Sequence, residues 1–87
     1  MNKFNLTVSS PDGNKFCGDV VKLDLRGTEG ELAVMAGHIP FVTSIVECPI
    51  TIWLNEEEKK TAQADGGLLV VGSDAVTLLS GSFRFDD

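Results

Sequence analysis

Histidine occurs once in this chain of 87 residues and cysteine twice, and seven lysines and arginines stand against thirteen aspartates and glutamates. Each shortage excludes something. One histidine and two distant cysteines, Cys17 and Cys48, fall short of the three or four ligands a zinc site needs, so no metal is expected. The cysteines form no CxxC pattern, and each is expected to be a free buried thiol packed as a small hydrophobe. A disulfide would need an oxidising compartment that nothing in the chain suggests. A formal net charge of -6 leaves no basic stripe to neutralise phosphates, so neither nucleic acid nor an anionic membrane surface is an expected partner. No apolar run approaches the roughly 20 residues that cross a bilayer, and Met1-Asn2-Lys3 lacks a signal peptide's apolar segment. Both features point to a cytosolic chain without direct lipid insertion.

Helical periodicity is also missing: no segment of helical length repeats apolar residues at i, i+3, i+4 and i+7. Alternation takes its place. Phe4, Leu6 and Val8 share one side of Lys3 to Ser9, and Val21, Leu23 and Leu25 alternate with charge in a strand region that begins near Lys15. Pro11-Asp12-Gly13 is a turn between them, because proline presets its own φ and glycine accepts positive φ. Phe41 to Val46 forms a further strand, Cys48-Pro49 a turn, and Ile50 to Asn55 another strand with Trp53 opposite Ile50, Ile52 and Leu54. Glu56 to Lys60 forms a solvated hairpin tip with a return strand to Ala64. Gly66-Gly67 breaks the chain before Leu68 to Val71, Gly72-Ser73-Asp74 turns it, and Ala75 to Leu79 and Phe83 to Phe85 close it. With 43% hydrophobic and 23% charged residues the balance is globular. The expectation is an all-β fold in one domain over residues 1–87: a two-sheet antiparallel β-sandwich of about ten short strands.

The stretch "EGELAVMAGHIP", Glu29 to Pro40, concentrates what chemistry the chain has. His38 is the one available base for a serine or cysteine nucleophile, yet no GxSxG elbow exists, and Ser9, Ser10, Ser44, Ser73, Ser80 and Ser82 have ordinary strand or turn positions. Glu29 and Glu31, on one strand face, could divide acid and base roles. Same-face carboxylates in a loop more often face solvent or a partner. Gly27-Thr28-Glu29-Gly30 lacks the lysine of a phosphate-binding loop, and no GxGxxG fingerprint appears. No catalytic residue and no cofactor are expected. What remains is a binding or assembly module. One version is a stand-alone sandwich for a small ligand or protein, with Trp53 as an exposed platform. An enzyme using His38 with Glu29 or Glu31 is the other rival.

Four motifs in order give a more specific expectation. Ser10-Pro11-Asp12-Gly13, Phe16-Cys17-Gly18-Asp19-Val20, Thr28-Glu29-Gly30-Glu31-Leu32-Ala33-Val34 and Gly37-His38-Ile39-Pro40-Phe41-Val42-Thr43 resemble the amino-terminal domain of the epsilon subunit of F-type ATP synthases. Gly66-Gly67 before an apolar strand and Ala75-Val76-Thr77-Leu78-Leu79 fit as well. The resemblance implies a flattened two-sheet sandwich at the foot of the central stalk, a non-catalytic rotor part at the cytoplasmic face of a bacterial membrane. It implies that Glu29, Gly30, Glu31 and Leu32 face the polar loops of the c ring, with Glu31 the main polar contact. His38, Ile39, Pro40, Phe41 and Val42 would meet the gamma subunit. Ala33 and Cys48 stand where the family usually has glycine and Ile39 where alanine is common. A positive φ at Cys48 would be strained. The family's two-helix carboxy-terminal domain is expected to be absent from these residues, which end at Phe83-Arg84-Phe85-Asp86-Asp87.

Overall fold

The computed structural model describes residues 2–37 and 39–86, and within them it has strands and no helix. Alternating burial defines each strand. In β1 (Phe4–Ser10), Phe4, Leu6 and Val8 are buried, and in β3 (Lys22–Gly27), Leu23 and Leu25. Between them, β2 (Gly13–Val20) pairs back on β1. The region from Lys15 to Arg26 is therefore two strands, because Val20 and Val21 are both buried and alternation slips there. β4 (Gly30–Met35), β5 (Phe41–Trp53), β6 (Lys59–Val71), β7 (Ala75–Leu79) and β8 (Phe83–Phe85) complete the chain.

Hydrogen bonding runs β2-β1-β7-β6-β5-β3-β4, with β8 added to β6. Among the described residues all strand pairings are antiparallel except one: β1 and β7 run parallel, Leu6 opposite Val76 and Val8 opposite Leu78. Among the described residues the strands number eight where about ten were expected, because β5 and β6 are thirteen residues each and serve both halves of the sheet. At the Val46/Gly66 level their pairing has a gap, while the register is the same on either side, Ile45 opposite Gly67 and Glu47 opposite Asp65. Burial changes parity at that level. It passes from Ile45 to Cys48, Ile50 and Ile52 in β5, and from Ala62, Ala64 and Gly66 to Leu69 and Val71 in β6. Such a change is what a strand shows when it crosses from one layer to another. The sheet therefore doubles over, and Leu6, Val8, Leu23, Ile50, Ile52, Leu69 and Leu78 join one core.

Two expected turns are corrected by this arrangement. Cys48-Pro49 lies within β5, paired to Ala64 and Gln63. Proline is tolerated because the β3–β5 ladder is interrupted between Asp24 and Gly27, so no β3 residue pairs with Pro49. No positive φ burdens Cys48, since among the described residues only glycines adopt one. Gly66-Gly67 likewise bends β6 without ending it, at φ values of 86° and 148°. Cys17, expected to be buried, is exposed on the edge strand β2, opposite Thr7 and away from the core; Cys48 is buried, and both thiols are free.

Ser80 secures the bend. Its buried hydroxyl lies 2.6 Å from the Gly66 carbonyl oxygen and 2.9 Å from that of Ser82, and its backbone N–H donates to Ser9. Ser80→Ala leaves the Gly66 carbonyl without this donor inside the fold. An expected loss of about 1–3 kcal/mol should appear as a lower urea midpoint with an unchanged slope. At the β1–β2 turn, the Ser10 hydroxyl, and after it the Lys15 ammonium at 3.0 Å, hold the Asp12 carboxyl below its ordinary range.

Candidate functional site

Glu29 sits in a two-residue turn, Thr28-Glu29, that joins β3 to β4, with Gly27 opposite Gly30. Gly30 permits the turn through its φ of 129°. Gly27 is buried, and a Cβ there would lie 3.2 Å from Leu32 Cδ1. Leu32 is half-buried and packs on the core. Glu31 belongs to β4, so Glu29 and Glu31 do not share a strand face. Arg26 faces Glu31 across the hairpin, Nη2 to Oε2 at 3.0 Å, with both side chains largely exposed. Glu29 has no ion-pair or hydrogen-bond partner among the described residues.

The second expected set lies at the start of β5. Ile39 is 82% exposed and Pro40 is exposed; His38 lies outside the described residues. Phe41 and Val42 divide as alternation requires. Phe41 stands opposite Val71, on the core side, but at the margin of the sheet, where it stays partly exposed. Val42 points outward and is 60% exposed. These two sets come together in space: Gly27 to Leu32 and Phe41 to Thr43 line one groove of about 480 Å³.

Beyond Val42 lies a surface the sequence reading missed. Val42, Val70, Thr77, Thr7 and Cys17 form one outward row across β5, β6, β7, β1 and β2; Ser44, Leu68, Leu79, Ser9 and Asn14 form the next. Neither row contains a charge, and Leu68 and Leu79 are exposed leucines. A signal existed: Leu68-Leu69-Val70-Val71 is apolar at four successive positions, and a strand has only one core side. The opposite outer face carries Lys22, Asp24, Arg26, Glu31, Glu47, Lys59, Asp65 and Arg84. A cleft of about 560 Å³ there is lined by Lys22, Asp24, Arg26, Glu31 and Pro49. Its charges pair with one another, Lys22 with Asp24 at 3.6 Å and Arg26 with Glu31. Trp53 is on this outer face, as alternation predicts, but its indole N–H donates to Asp24 at 3.1 Å and the Lys59 ammonium stands 5.1 Å from the ring centre. The ring is half-buried under its own neighbours and is no open platform.

Among the described residues, no three His, Cys, Asp or Glu side chains gather in a metal-binding cluster. The geometry offers an uncharged face, with Val42, Leu68 and Leu79 exposed among threonines and serines, that runs into a groove with an acidic rim. Complementary contact with other macromolecules is the chemistry it supports.

Comparison with known proteins covers nearly the whole chain. Two proteins named ATP synthase epsilon chain, from Wolbachia pipientis subsp. Culex pipiens (strain wPip) and from Wolbachia pipientis wMel, are each 29% identical over all 87 residues, which span 77% and 76% of their lengths. Among solved structures, a chain of the Euglena gracilis mitochondrial ATP synthase, in a structure of its OSCP, F1 and c-ring, superimposes with a TM-score of 0.89 at 21% identity. It covers 95% of this chain. A chain from the central stalk and c-ring of the Tetrahymena thermophila mitochondrial ATP synthase gives 0.79 at 11% identity over 94%. These two likenesses establish the fold; the present chain spans about half of the first (53%) and 66% of the second. The family model described as ATP synthase, Delta/Epsilon chain, beta-sandwich domain matches residues 3–85, and the chain belongs to that family.

Proposed function

We propose that this chain is a non-catalytic part of the central stalk of an F1Fo ATP synthase, docking on the gamma subunit and on the ring of c subunits so that ion flow is coupled to ATP synthesis. In a bacterial cell it would work at the cytoplasmic face of the membrane, as a peripheral part of the complex. The observation that carries this reading is the asymmetry of the two outer faces: one is charged, with Lys22 paired to Asp24 and Arg26 to Glu31, the other is free of charge in its two central rows and exposes Val42, Leu68 and Leu79. Ile39, Pro40, Phe41 and Val42 would then meet gamma, with His38 assigned by sequence alone, and the uncharged rows enlarge that contact. Glu29, Gly30, Glu31 and Leu32 would meet the polar loops of the ring. An Arg or Lys on those loops can pair with the tip carboxylates.

Glu31→Lys tests the ring contact. The variant exchanges an exposed pair with Arg26 for an exposed like-charge contact, so its stability should fall by no more than about 1.5 kcal/mol. Ion pumping by a complex reconstituted with the variant should drop severalfold, and more steeply at low salt. Wild-type coupling would remove Glu31 from the interface. A stand-alone ligand-binding module gains no support, because Trp53 is covered by Asp24 and Lys59.

A further inference from the structure

Sheet margins ordinarily carry devices that stop stray pairing: short strands, bulges, charges or proline. β2 carries Lys15 and Asp19 and a register slip opposite Val8/Ser9, and β8 is three residues long with Arg84 at its centre. β4 is guarded less. Among the described residues it pairs with β3 alone, without a register slip, and the one charge in Gly30-Glu31-Leu32-Ala33-Val34-Met35 is held by Arg26 of the same hairpin. The turn fixes which backbone groups of β4 face the margin. A two-residue turn closes on a hydrogen-bonded pair, here Gly27 and Gly30, and bonded and non-bonded pairs then alternate along the hairpin. Leu32 and Val34 are therefore bonded to Leu25 and Leu23, while Glu31, Ala33 and Met35 turn their N–H and C=O groups to the margin and their opposite numbers Arg26, Asp24 and Lys22 turn theirs to β5. The Cys48 thiol of β5, 3.9 Å from the Arg26 carbonyl oxygen, agrees with that alternation.

We infer that the β4 margin receives the same margin of a second copy of this chain, strand against strand and antiparallel about a two-fold axis at Ala33. The strand is self-complementary about that residue. Ala33 faces Ala33, Glu31 of each copy faces Met35 of the other, and Leu32 faces Val34, so exposed residues meet exposed ones and core-side residues meet core-side ones, as the pleat requires. Each N–H and C=O that Glu31, Ala33 and Met35 turn to the margin then finds its partner, and the pair closes on itself. Charge permits this occupant at this register. Each copy carries -6, but Glu29 falls opposite Gly37, which sets the two acidic turns about 27 Å apart at the ordinary strand rise, roughly three Debye lengths at physiological salt. Glu31 meets an uncharged Met35, with Lys22 of that second copy next in the row. At the axis the small Ala33 lets the two strands approach where a longer side chain would meet its own image. Pairing covers Glu31 and Leu32, so on the docking reading a paired chain is held off the ring until the copies separate.

Sedimentation of the 87-residue chain should show its apparent mass rising about twofold between about 10 µM and 1 mM. Amide hydrogen exchange locates the contact: over the same range Glu31, Ala33 and Met35 should gain protection, while Leu32 and Val34, already bonded to β3, should change least. Ala33→Lys puts two ammonium groups face to face across the axis and should weaken pairing at least about tenfold, as should Ala33→Glu. An equal mixture of the two variants should pair at least as tightly as the parent, which also shows that both fold. Thr61→Lys, in the same outward row but on β6, should leave pairing unchanged. A chain still monomeric at about 1 mM would overturn the inference. So would protection centred on Thr7 and Thr77, or pairing that neither Ala33 variant weakens or that their mixture does not restore. The two readings fail separately. A pairing chain whose Glu31→Lys complex pumps like wild type keeps the dimer and removes the ring contact. A monomeric chain whose Glu31→Lys complex pumps poorly does the reverse.

Discussion

Gly67→Ala is expected to abolish the cooperative fold or to lower its urea midpoint by about 2 M, the equivalent of at least about 3 kcal/mol. A Cβ at this position would lie 2.0 Å from the Leu79 carbonyl oxygen, 2.9 Å from its carbonyl carbon and 3.0 Å from Ser80 Cα. All three are backbone atoms of the β6–β7 pairing and its exit, so no flexible side chain can swing aside. The φ of 148° adds its own penalty for any residue with a Cβ. Because the β5–β6 pair at this level carries the fold between its layers, a shift here is felt in both halves of the core. A domain of this size has only about 4–13 kcal/mol of stability to lose. Gly81→Ala is the control: nothing lies within 4 Å of its added Cβ and its φ is not positive, so the midpoint should stay within about 0.5 kcal/mol of the parent. A parental midpoint for Gly67→Ala would show that the bend is not the constrained joint described above.

Charging the uncharged face should have the largest effect on assembly. Val42→Glu combined with Leu79→Glu places two carboxylates on adjacent outward rows, at residues 60% and 44% exposed. Neither side chain is in the core, so stability should change by less than about 1.5 kcal/mol. If gamma covers these rows, two desolvated charges without partners cost several kcal/mol, and capture of the variant by gamma should weaken at least about a hundredfold. The same two charges on the opposite face, through Thr61→Glu and Gln63→Glu, should leave capture unchanged. Equal capture of both double variants would place the gamma contact elsewhere.

Alternation was a reliable guide wherever a strand stays in one layer. Phe4, Leu6 and Val8, then Leu23 and Leu25, then Ile50 and Ile52 all point to the core as their spacing predicts. It lost its footing at the crossing. Pro49 and Gly66-Gly67 carry strong local turn signals, yet whether such residues end a strand or bend it depends on the ladder beside them. Here Pro49 lies at a gap in the β3–β5 pairing and the glycines at the fold of the sheet. The parallel β1–β7 pairing was likewise invisible, because which strands lie side by side across 70 residues is decided by how the layers close. Cys17 was placed inside on residue type alone, and its register opposite Thr7 puts it outside.

By itself the sequence determined the all-strand character and the inward residues of each single-layer strand, since each follows from spacing within a few neighbouring residues. Tertiary structure decided the rest. It alone brings the turn at Glu29 and the strand at Phe41 to one groove, although more than ten residues separate them. It alone turns Leu68 outward beside Val42 and Leu79, because a strand that crosses between layers exchanges its buried and exposed sides.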